Sequence, residues 1–211
     1  METVAAPDLT RLDTPSPTAV VLLLHGGKER SDEPVDARSA SWQRMAALQR
    51  AMTRDAQRAN TSTWLLRYRV RGWNGGEPVA DARWALEEVR RELGQVPVVL
   101  VGHSMGGRTA VHVADDPSVV GVVALAPWFP GGETVAGLAG KPLRAAHGRR
   151  DRITSYRATS AYVERANAAG ADATLQDMGW AGHYMLSRIG AWNAFARQET
   201  LQLLAGPDRQ R

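Results

Sequence analysis

Short apolar runs alternate along this chain with longer segments in which apolar residues recur at helical spacing. The runs at 19–24, 98–101 and 119–125 carry no polar side chain, as expected of strands buried on both faces. Strands that alternate with helices form a parallel sheet through right-handed crossovers. We therefore predict an α/β fold, a mostly parallel sheet of about six strands with helices on both faces. The predicted strands are 19–24, 63–70, 98–101, 119–125, 143–146 and 173–176. The predicted helices are 37–58, 78–94, 105–114, 156–169 and 184–204.

The length of 211 residues suits one domain with a sizeable core. Residues 1–18 are rich in Pro, Thr and Asp and show no period, so we expect a loose leader there. The folded domain is predicted at 19–205 and a tail at 206–211. An acidic residue lies near the N-terminus where a signal peptide needs basic ones, so we expect a cytoplasmic protein. No apolar run is long enough for a membrane span.

Composition excludes several classes of site. The chain has no cysteine, which excludes a disulfide framework and a thiolate metal site. The net charge of +4 comes mainly from arginines spread along the sequence, without a basic stripe that alternates with aromatics, so we expect no nucleic-acid partner. We also find no metal-ligand cluster, phosphate loop or dinucleotide fingerprint and expect no metal and no cofactor. The sequence does not indicate an oligomeric state.

A glycine-flanked serine follows the predicted strand 98–101. Residues 102–106 read Gly-His-Ser-Met-Gly, and a helix is predicted to begin directly after Ser104. This G-x-S-x-G pattern between a strand and a helix is typical of a nucleophile elbow, whose sharp turn exposes the serine hydroxyl and requires small neighbours. We therefore predict that Ser104 is a catalytic nucleophile. The alternative is a plain tight turn.

A serine nucleophile needs a base within hydrogen-bond reach, and the chain has five histidines. His25 and His147 each precede a glycine at a strand end, where shaping the loop is the simpler role. His112 lies about two turns into the helix after Ser104, and His103 should point away from it in an elbow. His183, in the loop between the last strand and the last helix, is our predicted base.

The base in turn needs an acid to orient it. Asp151, just beyond the fifth predicted strand, is the best candidate, and its arginine neighbours at 149, 150 and 152 would favour the ionised form. A plain surface carboxylate is the alternative reading of Asp151. Asp177 and Glu133 also follow strands and remain open as rivals.

With these residues, the chain resembles a small member of the α/β-hydrolase superfamily over residues 19–204. The marks of the resemblance are the motifs at 25–27, 102–107, 147–151 and 182–183. The resemblance implies Ser104 as nucleophile, His183 as base and Asp151 as orienting acid. It also implies an oxyanion hole formed by the backbone N–H groups of Met105 and Gly27, with Lys28 as the alternative second donor.

The chain departs from larger relatives in two places. Only a short leader precedes the first predicted strand, so we expect the first two strands of the full sheet to be missing. The link from Trp128 to Lys141 is too short for a helical cap, which predicts an open site for bulky or varied substrates. Trp73 and Trp128 follow strands and are candidate walls of an acyl pocket, although tryptophans equally fill cores. Trp180, just before His183, fits either role.

The predicted function is cleavage of a small-molecule carboxylic ester or thioester through an acyl-enzyme, without a cofactor. Relatives with the same fold also include perhydrolases, lyases and biosynthetic cyclases, so a non-hydrolytic enzyme is the first alternative. A non-catalytic small-molecule binder is the second, although a binder would not need the whole set of Ser104, Asp151 and His183.

Overall fold

A computed structural model describes residues 6–206 of the chain. Seven strands and five α-helices alternate along most of it. The strands are β1 (Asp8–Leu12), β2 (Ala19–Leu24), β3 (Thr61–Arg67), β4 (Val98–His103), β5 (Val119–Leu125), β6 (Pro142–His147) and β7 (Asp172–Asp177). The helices are α1 (Ala40–Arg58), α2 (Glu77–Leu93), α3 (Met105–Val113), α4 (Tyr156–Ala168) and α5 (Ile189–Ala205).

All seven strands belong to one sheet with the order β1-β3-β2-β4-β5-β6-β7. The pairings are parallel except at one edge, where β1 runs antiparallel to β3. The predicted α/β class with a mostly parallel sheet is confirmed. No helix within residues 6–206 is long and apolar enough to cross a membrane.

The central strands are buried on both faces because helices cover each side. In β2, Val20, Leu22 and Leu24 belong to one apolar core, which packs against α2, α3 and α4. Val21 and Leu23 point to the other core, beneath α1 and α5. This period-two division explains why the strand reads as one unbroken apolar run. The carboxyl ends of the parallel strands consequently lie together on one side of the molecule, beyond the ends of the strands, where ligands bind in such folds.

The prediction of a loose leader over residues 1–18 is wrong for part of that segment. Asp8–Leu12 forms β1, which pairs with β3 in register from Asp8 opposite Arg67 to Leu12 opposite Thr63. The strand is only partly buried and lies at the edge, so it shows no apolar alternation. The sheet therefore has seven strands, one more than predicted, and one strand does precede β2. Residues 1–5 of the leader and 207–211 of the tail lie outside the described residues.

Several element boundaries also differ from those predicted. The last helix begins at Ile189, whereas the predicted helix began at 184, because the intervening residues form the loop that carries His183. The predicted strand at 63–70 lies at Thr61–Arg67. The short link after Trp128 contains only a three-residue 3₁₀ turn, Ala136–Leu138, so no helical cap covers this part of the sheet.

Candidate active site

Ser104 occupies a strained turn between β4 and α3. Its φ of 55° lies in the left-handed region, which a residue with a side chain adopts at a cost. The turn also brings backbones together, because a Cβ at Gly106 would overlap the backbone carbonyl of Leu24 at the end of β2. The spacing of small residues around Ser104 is therefore a steric requirement of this turn.

The loops after β6 and β7 bring an imidazole and a carboxylate to this serine. The Ser104 hydroxyl lies 3.0 Å from Nε2 of His183. On the other side of the ring, Nδ1 of His183 donates to Oδ2 of Asp151 at 2.8 Å. The three side chains, which are 79 and 32 residues apart along the chain, thus form one hydrogen-bonded line. Ser104 and His183 are each less than a tenth exposed.

The Asp151 carboxylate is surrounded by donors. Oδ1 accepts the backbone N–H groups of Ile153 and Thr154 at 2.8 and 2.9 Å. Oδ2 accepts the Thr154 hydroxyl at 2.8 Å and Nε2–H of His147 at 3.2 Å, in addition to His183. Burial alone would raise the pKa of Asp151, but hydrogen bonds from His147, His183 and the two amides hold it well below its usual range.

The arginines next to Asp151 do not cause this ionisation, contrary to our expectation. Arg149 instead pairs with Asp177 at 2.7 Å, which keeps Asp177 away from His183. The other rival acid, Glu133, pairs with Arg108 and with His112, the latter at 2.8 Å. Of the three carboxylates considered from sequence, Asp151 is the one in contact with His183.

The other histidines near the site have structural contacts. His103 is buried and donates from Nε2 to the His183 carbonyl at 3.0 Å, so it supports the backbone that carries His183. Burial lowers the pKa of His103 to about 3. His147 accepts the Thr159 hydroxyl at Nδ1, 2.8 Å away, which leaves Nε2–H free to donate to Asp151.

Among the loop and turn hydrogen bonds of residues 6–206, none is donated by the backbone amides of Gly27 and Met105, the predicted oxyanion donors. A Cβ at Gly27 would overlap both the Arg71 carbonyl and the Met105 side chain, so Gly27 packs directly against Met105. The Lys28 amide, our alternative donor, is already bonded to the Arg71 carbonyl at 2.8 Å. Gly27 and Met105 remain the predicted oxyanion donors.

The sequence matches the model of the Alpha/beta hydrolase family over residues 21–209. The chain belongs to the alpha/beta hydrolase family. Family membership supports a hydrolytic activity. No curated protein matches the sequence significantly.

Solved structures share the fold of this alpha/beta hydrolase at low sequence identity. A serine hydrolase homologue from Coxiella burnetii is 16% identical with a TM-score of 0.70, covering 92% of this chain and 91% of that one. A serine hydrolase without a lid from Xanthomonas campestris is 17% identical with a TM-score of 0.67, covering 91% and 87%. Est1E from Butyrivibrio proteoclasticus with ferulic acid bound is 13% identical with a TM-score of 0.68, covering 95% and 96%.

Trp73 and Trp128 of this alpha/beta hydrolase form the sides of a cleft of about 310 Å³ next to the serine turn. Their rings meet edge to face, with centroids 6.3 Å apart. The Arg108 guanidinium lies against both rings, 4.0 Å from the centroid of Trp73 and 4.6 Å from that of Trp128. The Trp128 amide also donates to the Ser104 carbonyl at 3.0 Å. The cleft is therefore aromatic with a cationic element, which the sequence did not suggest.

Cavity size does not single out the site. A cavity of about 690 Å³ lies beside Arg30, Asn74 and Gly75. Another of about 680 Å³ lies beside Pro142 and Asp172, at the amino ends of β6 and β7. That end of the sheet is opposite to Ser104. The cleft beside Trp128 is the candidate substrate site because the Trp128 amide bonds to the carbonyl of Ser104, which belongs to the line of serine, imidazole and carboxylate.

Sequence reasoning missed three contributing residues in this alpha/beta hydrolase. His147 and Thr154 both contact Asp151, and Arg108 contacts the tryptophans. A signal existed for Thr154, because an aspartate often binds backbone amides two and three residues later. No local signal marked Arg108, whose partners come from two distant loops.

Proposed function

We propose that this protein is a serine hydrolase that cleaves a carboxylic ester or thioester through an acyl-enzyme intermediate. The observation that carries the proposal is the continuous hydrogen-bonded line from Ser104 through His183 to Asp151. This arrangement has the geometry required for an activated serine, with nucleophile and base within hydrogen-bond distance and the base oriented by a third group.

The first half-reaction forms the acyl-enzyme. Oγ of Ser104 attacks the substrate carbonyl carbon while its proton moves to Nε2 of His183. The carbonyl π electrons shift to oxygen, and the resulting oxyanion accepts hydrogen bonds from the amides of Gly27 and Met105. When the tetrahedral intermediate collapses, the proton on His183 passes to the leaving oxygen or sulfur, and the alcohol or thiol departs.

The second half-reaction regenerates the serine. Water attacks the acyl carbon and gives a proton to His183, which then returns it to Oγ of Ser104 as the carboxylic acid leaves. Asp151 stays ionised throughout and stabilises the imidazolium that forms twice in each cycle. The five hydrogen bonds on its carboxylate support this role, because they favour the charged form.

The cleft sides suggest how substrate is held. Trp73 and Trp128 line the cleft together with Arg108, which lies against both rings, and the link after Trp128 carries no cap above them. We propose that the two rings contact the acyl group and that the open edge admits bulky or varied esters. Est1E, which shares the fold, is a protein solved with ferulic acid bound.

A fluorophosphonate probe followed by intact mass measurement tests the proposal. We expect one covalent adduct, located at Ser104, and none on Ser104→Ala. In an ester and thioester panel, His183→Ala should lower kcat about as much as Ser104→Ala, by roughly 10⁴-fold or more, because the residues act as one unit.

Matched carboxylate variants test the acid. Asp151→Asn should lower kcat by orders of magnitude, whereas Asp177→Asn, whose carboxylate pairs with Arg149, should remain near wild type. The reverse result would reject the assignment of Asp151. A folded protein that forms no adduct would reject an activated serine, and labelling without turnover of any ester or thioester would favour a non-hydrolytic enzyme.

A further inference from the structure

Within residues 6–206, the large apolar side chains that are exposed to solvent lie in two segments, one after β6 and one after β7. We call these five residues the apolar rim: Ile153, Trp180, Tyr184, Leu186 and Ile189. Trp180 is 77% exposed and Leu186 is 71% exposed. Single exposed apolar residues are ordinary on protein surfaces, but a cluster of them usually marks an interaction site.

The apolar rim lies on the two loops that carry the catalytic candidates Asp151 and His183. These loops follow the neighbouring parallel strands β6 and β7 and are joined by backbone hydrogen bonds. The amide of Arg149 donates to the Gly179 carbonyl at 2.7 Å, and that of Arg150 donates to the Ala181 carbonyl at 3.2 Å. The two loops therefore form one continuous surface beside the entrance to Ser104.

The same two loops carry an excess of positive charge. Segments 149–157 and 177–190 contain five arginines, all exposed, and two carboxylates. Of the carboxylates, Asp151 is buried against His183 and Asp177 pairs with Arg149. The remaining arginines are Arg150, Arg152, Arg157 and Arg188. The apolar rim is thus bordered by more cations than the carboxylates of these segments can offset.

We propose that the apolar rim and its arginines dock the protein on an anionic lipid surface, which would present amphiphilic esters to Ser104. Apolar side chains that enter the interface and arginines that meet anionic headgroups are the two contributions that hold proteins there. A second copy of this chain fits less well, because a two-fold contact would bring two identical, positively charged surfaces together. The catalytic consequence rests on the proposed ester hydrolysis, but docking itself does not.

Vesicle sedimentation of the full-length Ser104→Ala protein tests docking without turnover. We expect binding to vesicles of phosphatidylcholine with phosphatidylglycerol, weak binding to phosphatidylcholine alone, and loss of the difference at high salt. Trp180→Ser with Leu186→Ser should weaken binding at least about tenfold. Arg150→Gln with Arg152→Gln should remove the preference for phosphatidylglycerol.

The matched control changes two exposed arginines that lie outside the two rim loops. Arg50→Gln with Arg54→Gln, on α1, removes the same charge and should leave vesicle binding unchanged. When Ser104 is retained, the wild type and the variant with Trp180→Ser and Leu186→Ser should hydrolyse a short soluble ester at the same rate.

Three results would overturn the proposal. The first is a Ser104→Ala protein that does not bind the anionic vesicles, and the second is a rim variant that binds them equally well. The third is a wild-type oligomer that sedimentation analysis shows to become monomeric in the rim variant, which would assign the surface to a second copy. Vesicle binding is measured without turnover. An absence of binding would therefore not contradict the proposed ester hydrolysis at Ser104, and an absence of probe labelling would not contradict the proposed docking.

Discussion

Two buried histidines should make this protein lose stability in mild acid. His25 donates from Nδ1 to the Gly26 carbonyl at 2.7 Å and accepts the Tyr68 amide at Nε2, 3.3 Å away. A proton added to Nε2 would oppose that donor. In His103, Nδ1 is buried without a hydrogen-bond partner in the described part of the chain, so a proton added there would lie unsolvated in the core.

The size of the effect follows from the two pKa values. Burial lowers the pKa of His25 to about 4 and that of His103 to about 3, from an ordinary value of 6.5. The unfolded chain therefore binds these protons first, so stability is full above about pH 6.5 and falls as the pH drops towards the folded-state values. From pH 7 to about pH 4.5, each histidine should lower the free energy of unfolding by about 2 to 3 kcal/mol.

Urea unfolding followed by circular dichroism at about pH 7 and about pH 4.5 measures this loss. His25→Gln and His103→Gln should each lose about 2 to 3 kcal/mol less than wild type between the two pH values, whatever their stability at neutral pH. Tyr68→Phe perturbs the same packing without removing an imidazole and should keep the full pH dependence. If both histidine variants show the full wild-type loss, the reasoning from their burial is refuted.

Two further predictions concern the cleft. Gly27→Ala should lower kcat by about 10² to 10³ with little change in KM, because the added methyl group displaces a proposed oxyanion donor. Gly131→Ala, whose Cβ meets open space, is the control, and equal kcat values for the two variants would contradict the role of Gly27. Trp128→Ala should move the optimum in a series of p-nitrophenyl esters towards longer acyl chains. An unchanged optimum with a stability loss of about 3 to 5 kcal/mol would show that the ring only fills the core.

The order of strands and helices was predictable because burial imposes a local period. Strand β2 reads as an unbroken apolar run since its two faces enter two cores, and α1 shows helical spacing since one of its faces covers the sheet. The edge strand β1 gives no such signal, because its side chains are only partly buried and charged residues such as Arg11 lie on it. Its position depends on backbone pairing with β3, which is a long-range contact.

The candidate site likewise has some features that the sequence predicted and others that it did not. Ser104 stands out locally because its turn needs small neighbours, and His183 and Asp151 stand out because they follow strands whose carboxyl ends meet in a parallel sheet. The reason for the ionisation of Asp151 did not follow from sequence. Adjacent arginines were the obvious cause, yet the side chain turns inward to His147 and two amides while Arg149 turns outward to Asp177.

Features that depend on neighbours along the chain could be predicted from the amino-acid sequence: the alternation of strands and helices, the turn at Ser104 and the residues that follow each strand. Which of those residues touch depends on the folded arrangement of the sheet. The contact of Arg108 with Trp73 and Trp128, and the joining of the rim loops around Asp151 and His183, each bring together segments far apart in sequence. Such contacts depend on how the sheet orders its strands, and a local apolar period carries no information about that order.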